Sequence, residues 1–398
     1  MRIALCLLLV LATPALADVE AGFDGYADLR LISAGGETSW LKGGLGKLRY
    51  GKGDDTAQLA VLFGQGYVRF TPELTAVASL RVAPGQRTAF DPLEMYLRYA
   101  PPASSRWAWS VKTGAFFAPF SLENTELGWE PYWTLTPSAI NSWFGDELRT
   151  IGAEFALEWS GDAGTFTLMG SGFGDNDVAG VLMAERGWTM DDRPTGLLDR
   201  VPQPNATLIL DGDTPPDRTP LFKEFDHRIG WYAGASWDDN QRWHLELIRY
   251  DNEADPSAHE DDYFAWHTRF WDAGAAAHFG HFAVLAQALT GETTITELPD
   301  PALTTDFDAA YLLLGWERGV WRLAVRGDMF RTRTQRLLPE SENGRAVTAS
   351  AGWEPVDWFR LTAEVVSLTS TRAERSVIGL DPRQVETQTQ LSARFYLQ

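Results

Sequence analysis

The chain has 398 residues, 44% apolar and 22% charged, so it is neither disordered nor low in complexity. Fifty-four acidic residues against 34 basic ones give a formal charge of −20, which would repel a phosphate backbone and argues against a nucleic-acid partner. One cysteine excludes a disulfide scaffold and a thiolate zinc site, while 36 glycines and 17 tryptophans favour many strands and turns.

Met1-Arg2 opens a short positive region, Ile3 to Ala12 is an apolar run, and Ala15-Leu16-Ala17 has the small-x-small form of a cleavage site. Residues 1–17 therefore read as a secretory signal peptide, and 18–398 as one mature domain. Cys6 lies inside the apolar run and is lost with it. Beyond Ala17 no stretch of 18 uninterrupted apolar residues occurs, which leaves an exported soluble protein or a transmembrane β-barrel.

From Val19 onward the apolar residues recur with period 2. Leu93, Met95, Leu97 and Tyr99 alternate with Glu94, Tyr96 and Arg98; Trp321, Leu323 and Val325 with Arg322 and Arg326; Phe359, Leu361, Ala363 and Val365 with Arg360, Thr362 and Glu364. The predicted strands are 19–32, 39–51, 57–70, 73–83, 89–100, 107–117, 147–159, 164–173, 225–237, 242–250, 263–273, 275–280, 281–290, 306–317, 319–330, 346–356, 358–368 and 386–397. Most suit a tilted crossing of the hydrocarbon layer, which takes roughly 9 to 11 residues.

Tight connections such as Gly280-His281 and Glu317-Arg318-Gly319 alternate with long ones near 118–147, 174–224, 251–262, 291–306, 331–345 and 369–385. Trp107, Trp109, Trp159, Trp237, Trp243, Trp316, Trp321, Trp353 and Trp358 fall beside the tight turns, where an interfacial girdle would place them. The fold expected is an all-β, transmembrane antiparallel β-barrel with short periplasmic turns and long extracellular loops. Sixteen strands are expected, with 263–280 read as one bent strand, and eighteen as the alternative. Both termini are expected to be periplasmic, and strand parity then requires either that 19–32 is not a full crossing or that one strand between 33 and 90 is misassigned.

Two stretches, Lys112-Thr113-Gly114-Ala115-Phe116-Phe117-Ala118-Pro119-Phe120-Ser121-Leu122-Glu123-Asn124 and Leu135-Thr136-Pro137 through Arg149-Thr150-Ile151-Gly152, resemble the phosphate-selective type of Gram-negative outer-membrane porin. The resemblance is closest over 107–159. It implies a sixteen-stranded barrel, usually trimeric, with passive diffusion through each pore and anion selectivity resting on lumen arginines and lysines.

No nucleophile elbow, phosphate loop or dinucleotide glycine pattern is present, and none of the six histidines forms a helical His-x-x-x-His pair. No cofactor and no metal site is expected. The acidic groups Asp211, Asp213 and Asp217, and Asp251, Glu253, Asp255, Glu260, Asp261 and Asp262, lack EF-hand spacing and read as solvated outer loops. Two other function classes remain as alternatives: a secreted soluble polysaccharide-binding β protein, and an outer-membrane lipid-modifying enzyme.

Charge on the lipid face near the midplane costs about 2–4 kcal/mol for Arg or Lys. The charges that share the non-lipid parity are therefore expected to line the pore: Arg81, Glu94, Arg98, Lys112, Glu154, Glu246, Arg322, Arg326, Arg360, Glu364 and Arg394. The loop 118–147 is too apolar to be freely solvated, with a helical turn expected at Ser138 to Phe144 capped by Ser138. Folded inward, it would set Glu123, Glu126, Glu130 and Asp146 against Lys112, Arg98 and Arg81 as a constriction; alternatively it latches onto a neighbouring protomer. The expected partners are outer-membrane lipid and lipopolysaccharide, two further copies in a homotrimer, and the barrel-assembly machinery, in the outer membrane of a Gram-negative bacterium.

Overall fold

The structure, a computed structural model, describes residues 19–88, 90–204, 218–296, 302–334 and 341–397. The signal-peptide segment 1–17 and Asp211, Asp213 and Asp217 lie outside the described residues.

The described residues form twenty strands, the long ones built on alternation of apolar and polar residues: β1 (Glu20–Gly35), β2 (Thr56–Arg69), β3 (Leu74–Val82), β4 (Asp91–Tyr99), β5 (Trp107–Phe116), β6 (Thr150–Gly161), β7 (Gly164–Gly174), β8 (Arg200–Pro202), β9 (Arg218–Pro220), β10 (Gly230–Asp238), β11 (Trp243–Asp251), β12 (His259–Glu260), β13 (Tyr263–Phe264), β14 (His267–Phe279), β15 (Phe282–Ile295), β16 (Leu303–Arg318), β17 (Trp321–Thr334), β18 (Glu342–Val356), β19 (Phe359–Arg372) and β20 (Arg383–Leu397). Sixteen of them close an antiparallel barrel, and the other four form the small loop hairpins β8-β9 and β12-β13. Closure is made by β20 against β1, from Gly25 opposite Leu397 to Gly35 opposite Thr387.

The wall faces two solvents. On β17, Leu323 and Val325 are exposed outward at 42% and 52%, while their neighbour Arg326 is completely buried inside. Trp107, Trp109, Trp243, Trp321 and Trp358 stand exposed at the end of the barrel that carries the tight turns. Those turns use residues that tolerate left-handed backbone, with Gly280 at φ 62°, Gly319 at φ 60° and Asn240 at φ 60°.

Two strand assignments need correction. Residues 39–51 form a coil with a single short 3₁₀ turn at Trp40–Lys42, and removing them from the count resolves the parity of the first strands. This coil doubles back so tightly that a Cβ on Gly44, Gly46 or Gly51 would sit 2.1 to 2.5 Å from a carbonyl oxygen of Thr38 or Glu37. The segment 263–280 contributes one crossing, β14, preceded by the short strand β13. The loops placed at 291–306, 331–345 and 369–385 are shorter than expected because the strands on either side run on, to Ile295, Thr334 and Arg372 and from Leu303, Glu342 and Arg383.

The apolar core lies inside the barrel. Phe120, Trp143, Phe144, Met183, Trp188 and Met190 come from loops and pack on Tyr250, Phe270, Phe307 and Phe330 of the inner wall. The opposite, outer face stays apolar for hydrocarbon. Replacing the outward, mid-strand Val325 by Arg is expected to destabilise the vesicle-folded barrel by about 2–4 kcal/mol, read as a lowered unfolding midpoint in denaturant.

Candidate functional site

The loop that leaves β5 turns into the barrel at Phe117; Pro119 and Thr125 are exposed, and from Trp133 to Arg149 every residue is buried. Gly114 starts the turn: its φ of 132° and its approach to the Met95 carbonyl, 2.2 Å from where a Cβ would stand, exclude any side chain. A helix, α1 (Ala139–Glu147), crosses the lumen, and its N-cap Ser138 accepts from the Asn141 amide at 3.3 Å. Its Trp143 and Phe144 meet the aromatic side of the wall, with rings 5.4 and 5.6 Å from Phe270.

The other side of the loop is clasped by charge. Arg326 donates to Glu123 at 3.0 Å, to Asp328 at 2.9 Å and to the carbonyls of Thr136 and Pro137, both at 2.9 Å. Glu364 on the adjacent wall accepts the amides of Leu135 at 2.6 Å and Thr136 at 3.1 Å. A cation and an anion from the wall thus satisfy the carbonyls and amides of one short extended stretch, which would otherwise be orphaned in a dry interior. Further round, Glu126 takes a two-pronged bond from Arg360 at 2.7 and 3.0 Å, and Glu130 accepts from Arg394 at 2.8 Å and from Tyr26 at 3.0 Å.

The wall residues facing the loop carboxylates are therefore Arg322, Arg326, Arg360 and Arg394, and not the expected Arg81, Arg98 and Lys112. Parity separates the two faces of a strand but carries no height along the barrel and no circumferential position, and at the register shift of β4 it fails, since Leu93 is buried in the inner cluster with Tyr26 and Phe117. Arg98 is exposed near the turn end, beside Glu20, Arg69 and Glu73. Lys112 stands 3.8 Å from Glu154, which also bonds Tyr232. Arg81 donates to the carbonyls of Asp192 and Pro194 at 3.0 and 2.7 Å. Glu94 accepts the Phe117 amide at 3.0 Å, Glu246 lies 3.5 Å from His244, and Asp146 bonds Arg186 of another loop at 2.6 Å.

Many of these residues do not meet open water. Arg81, Glu123, Glu130, Asp146, Glu154, Arg326, Glu364 and Arg394 are all buried, because the loops fill the space that the charges were expected to line. The latch on a neighbouring protomer is also not what the loop makes, since Phe120, Trp133 and Trp143 are spent inside the barrel.

A second buried layer was missed. Residues 175–204, read as an outer loop, cross the mouth above α1, with the helix α2 (Val181–Glu185) packed under Trp40 and Trp266. Asp192 there bridges Arg30 of β1 and Arg49 of the 39–51 coil, and Lys47 of that coil reaches Glu342 at 2.8 Å. The signal was present in Val178, Val181, Leu182, Met183, Trp188 and Met190, an apolar content as unsuited to a solvated loop as that of 118–147. Of the acidic loop groups, Asp251 and Glu253 gather with His267, and Asp177 with Glu224 and Asp226. Asp255 is held instead by Arg228, and Glu260 lies near Lys223.

On the turn side of the loop the lumen is open. Cavities of about 220, 620 and 630 Å³ border the turn residues Gly319, Asp357 and Gly280, and they are lined by Tyr132, Trp133, Trp129, Arg322, Arg360 and Arg394. Tyr132 stacks under Arg322 at 3.5 Å.

No protein-family model matches the chain, and no curated protein does. Among solved structures it is similar to the outer membrane channel DcaP of Acinetobacter baumannii, with TM-score 0.58 and 11% identity over 95% of this chain and 97% of that one. A loop L8 deletion mutant of OmpT, an outer membrane protein of Vibrio cholerae, gives 0.55 at 9% identity over 95% and 99%. The anion-selective porin from Comamonas acidovorans gives 0.51 at 13% identity over 96% and 100%. The chain has the fold of these outer-membrane barrels. At such identities the likeness extends to the fold alone.

Two outcomes follow from the clasp and from the layer above it. Arg326→Met strands Glu123 and Asp328 as buried anions, which costs about 3–5 kcal/mol. The loop should undock while the barrel survives, seen as new proteolytic cleavage within 118–147 with unchanged strand circular dichroism. Burial, reinforced by Asp146 and Asp192 and opposed by Arg186, pushes the Asp191 carboxyl up to about 8, and its Oδ2 has no hydrogen-bond partner among the described residues. Burial likewise raises Glu147 to about 7. A carboxyl raised in the docked state favours docking when protonated, so docking weakens as pH rises from about 4 to about 8. Amide exchange over 188–196, corrected for intrinsic rates, should be faster at a pH above 8 than at pH 6, and Asp191→Asn should flatten that difference.

Proposed function

We propose that the chain is an outer-membrane channel through which small hydrophilic solutes diffuse passively, without catalysis, and that it works as a trimer in a Gram-negative outer membrane. The observation that carries this reading is the acidic loop clasped across a closed sixteen-strand barrel by Arg322, Arg326, Arg360 and Arg394. Arg322, Arg360 and Arg394 also border the open cavities on the turn side of the loop, where fixed charges beside a narrow passage order water and sort solutes by charge. The apolar outer belt and the tryptophans at the turn end support the membrane placement. The resemblance to phosphate-selective porins concerns a finer question. Each of the four arginines already holds a loop carboxylate, so the lumen offers phosphate no uncompensated cation at this level, and the reading is a general diffusion channel rather than a phosphate-selective one.

Purified full-length protein is expected to give discrete conductance steps in planar bilayers. Deleting 121–143 should raise the step size, because that segment occupies the lumen. Absence of steps from both proteins would overturn the channel reading.

A further inference from the structure

The outer face breaks its apolar rule over a run of neighbouring strands. Near the loop end, Arg269 on β14, Glu292 on β15, Asp306 and Asp308 on β16, Arg331 and Arg333 on β17 and Arg345 on β18 occupy the lipid-facing parity, with Arg249 on the neighbouring β11. Their direction is fixed by the alternate residues Phe270, Phe307, Phe330 and Thr332, which are buried inside. The described outward positions of β1, β2, β5, β6 and β7 carry no charge.

Register arranges the sector in rows. Arg269 lies opposite Glu292, Glu292 opposite Asp306, and Asp306 opposite Arg333; the next row down runs Trp271, Thr290, Asp308, Arg331. Asp308 accepts from Arg331 Nε at 2.7 Å and from Thr290 at 2.9 Å, and lies 4.0 Å from Arg333 Nη2. That bond consumes only Nε, so the Nη fork of a side chain 51% exposed is left over, and Arg333 beside it is 56% exposed. A guanidinium fork matches the oxygens of a phosphate.

These strands hold 13 to 16 residues, more than the roughly 9 to 11 that the hydrocarbon requires. Their upper ends therefore reach the headgroup layer. Below the charged rows the wall turns shallow: Ala273, Ala288 and Ala310 form one row between Leu247 and Met329, and Ala275 and Ala286 the next between Leu245 and Leu312. The flanking side chains are 45 to 66% exposed and stand as ridges beside this trough.

The basic side chains fall into two groups, Arg249 with Arg269 and Arg331 with Arg333 and Arg345. Arg269 and Arg333 are three strand spacings apart, about 14 Å at about 4.8 Å each. We propose that this face binds a lipid of the outer leaflet bearing phosphate at both ends of its headgroup, the lipid A moiety of lipopolysaccharide, with its phosphates on the two arginine groups and an acyl chain in the alanine trough. The proposal rests on the outer-membrane reading above, with the long loops outside. A single phosphodiester headgroup would engage one arginine group only.

The test is native mass spectrometry of the folded full-length protein in detergent. Diphosphoryl lipid A is the probe, and dephosphorylated lipid A, phosphatidylglycerol and inorganic phosphate are comparators. The wild type should retain diphosphoryl lipid A, while Arg331→Gln/Arg333→Gln/Arg345→Gln should bind it about tenfold more weakly. Ala288→Trp, which fills the trough without touching a charge, should weaken it too. Conductance is read on the same preparations, and these outward substitutions should leave it unchanged, so a wild type without conductance overturns the channel reading and not the lipid site. Equal retention by the triple variant, equal retention of phosphatidylglycerol, or displacement by inorganic phosphate would overturn the lipid A assignment.

Discussion

The interior organisation depends on one guanidinium. Arg326 is completely buried, and it bonds a wall carboxylate, a loop carboxylate and two loop carbonyls at once. A buried arginine has no acceptable state other than full satisfaction, so the wall of β17 and the chain from Thr134 to Ser138 are held in one arrangement. From that point α1 extends in only one direction, and its aromatic face falls onto Phe270 and Phe307.

The lumen is thereby divided into an apolar half and a charged half, and the loop is amphipathic in the matching sense. Trp143 and Phe144 lie against the aromatic wall of β14 and β16, while Glu123, Glu126 and Glu130 lie against the arginines of β17, β19 and β20. Dispersion and hydrophobic burial hold one side and compensated charge the other, so neither contribution alone fixes the loop. The layer above follows the same logic: α2 and Trp188 bury apolar surface, while Asp192 sits between Arg30 and Arg49. With a chain charge of −20, it is notable that so many interior carboxylates meet an arginine, and those that do not, such as Asp191, are pushed toward the neutral form by burial.

Inside and outside use the same alternation for opposite ends. On β17 the inward series Arg322, Arg326 and Asp328 serves the loop, and the outward series Leu323 and Val325 serves the hydrocarbon before giving way to Arg331 and Arg333. The change of character along one face marks where the strand leaves the apolar layer, because the energy of an outward charge falls steeply between midplane and headgroups.

The sequence by itself determined what is local and periodic. Period-2 alternation identified the barrel wall and the inward side of most of its strands, the turn residues located the tight connections, and Ser138 announced the helix it caps. The glycine-rich coil at 39–51 is no strand: its apolar Trp40, Leu41, Leu45, Leu48 and Tyr50 keep no single parity, and the contacts of Gly44, Gly46 and Gly51 with Glu37 and Thr38 show why it cannot extend. Tertiary structure decided everything that depends on circumference and height: that Glu126 meets Arg360 and not Arg98, that 175–204 lies inside the mouth, and that Arg331 stands outward beside Asp308 near the loop end. The physical reason is that alternation has one bit of information per residue, inward or outward. Pairing across a lumen is set by closure of sixteen strands between β1 and β20, a constraint that exists only once the ring is complete.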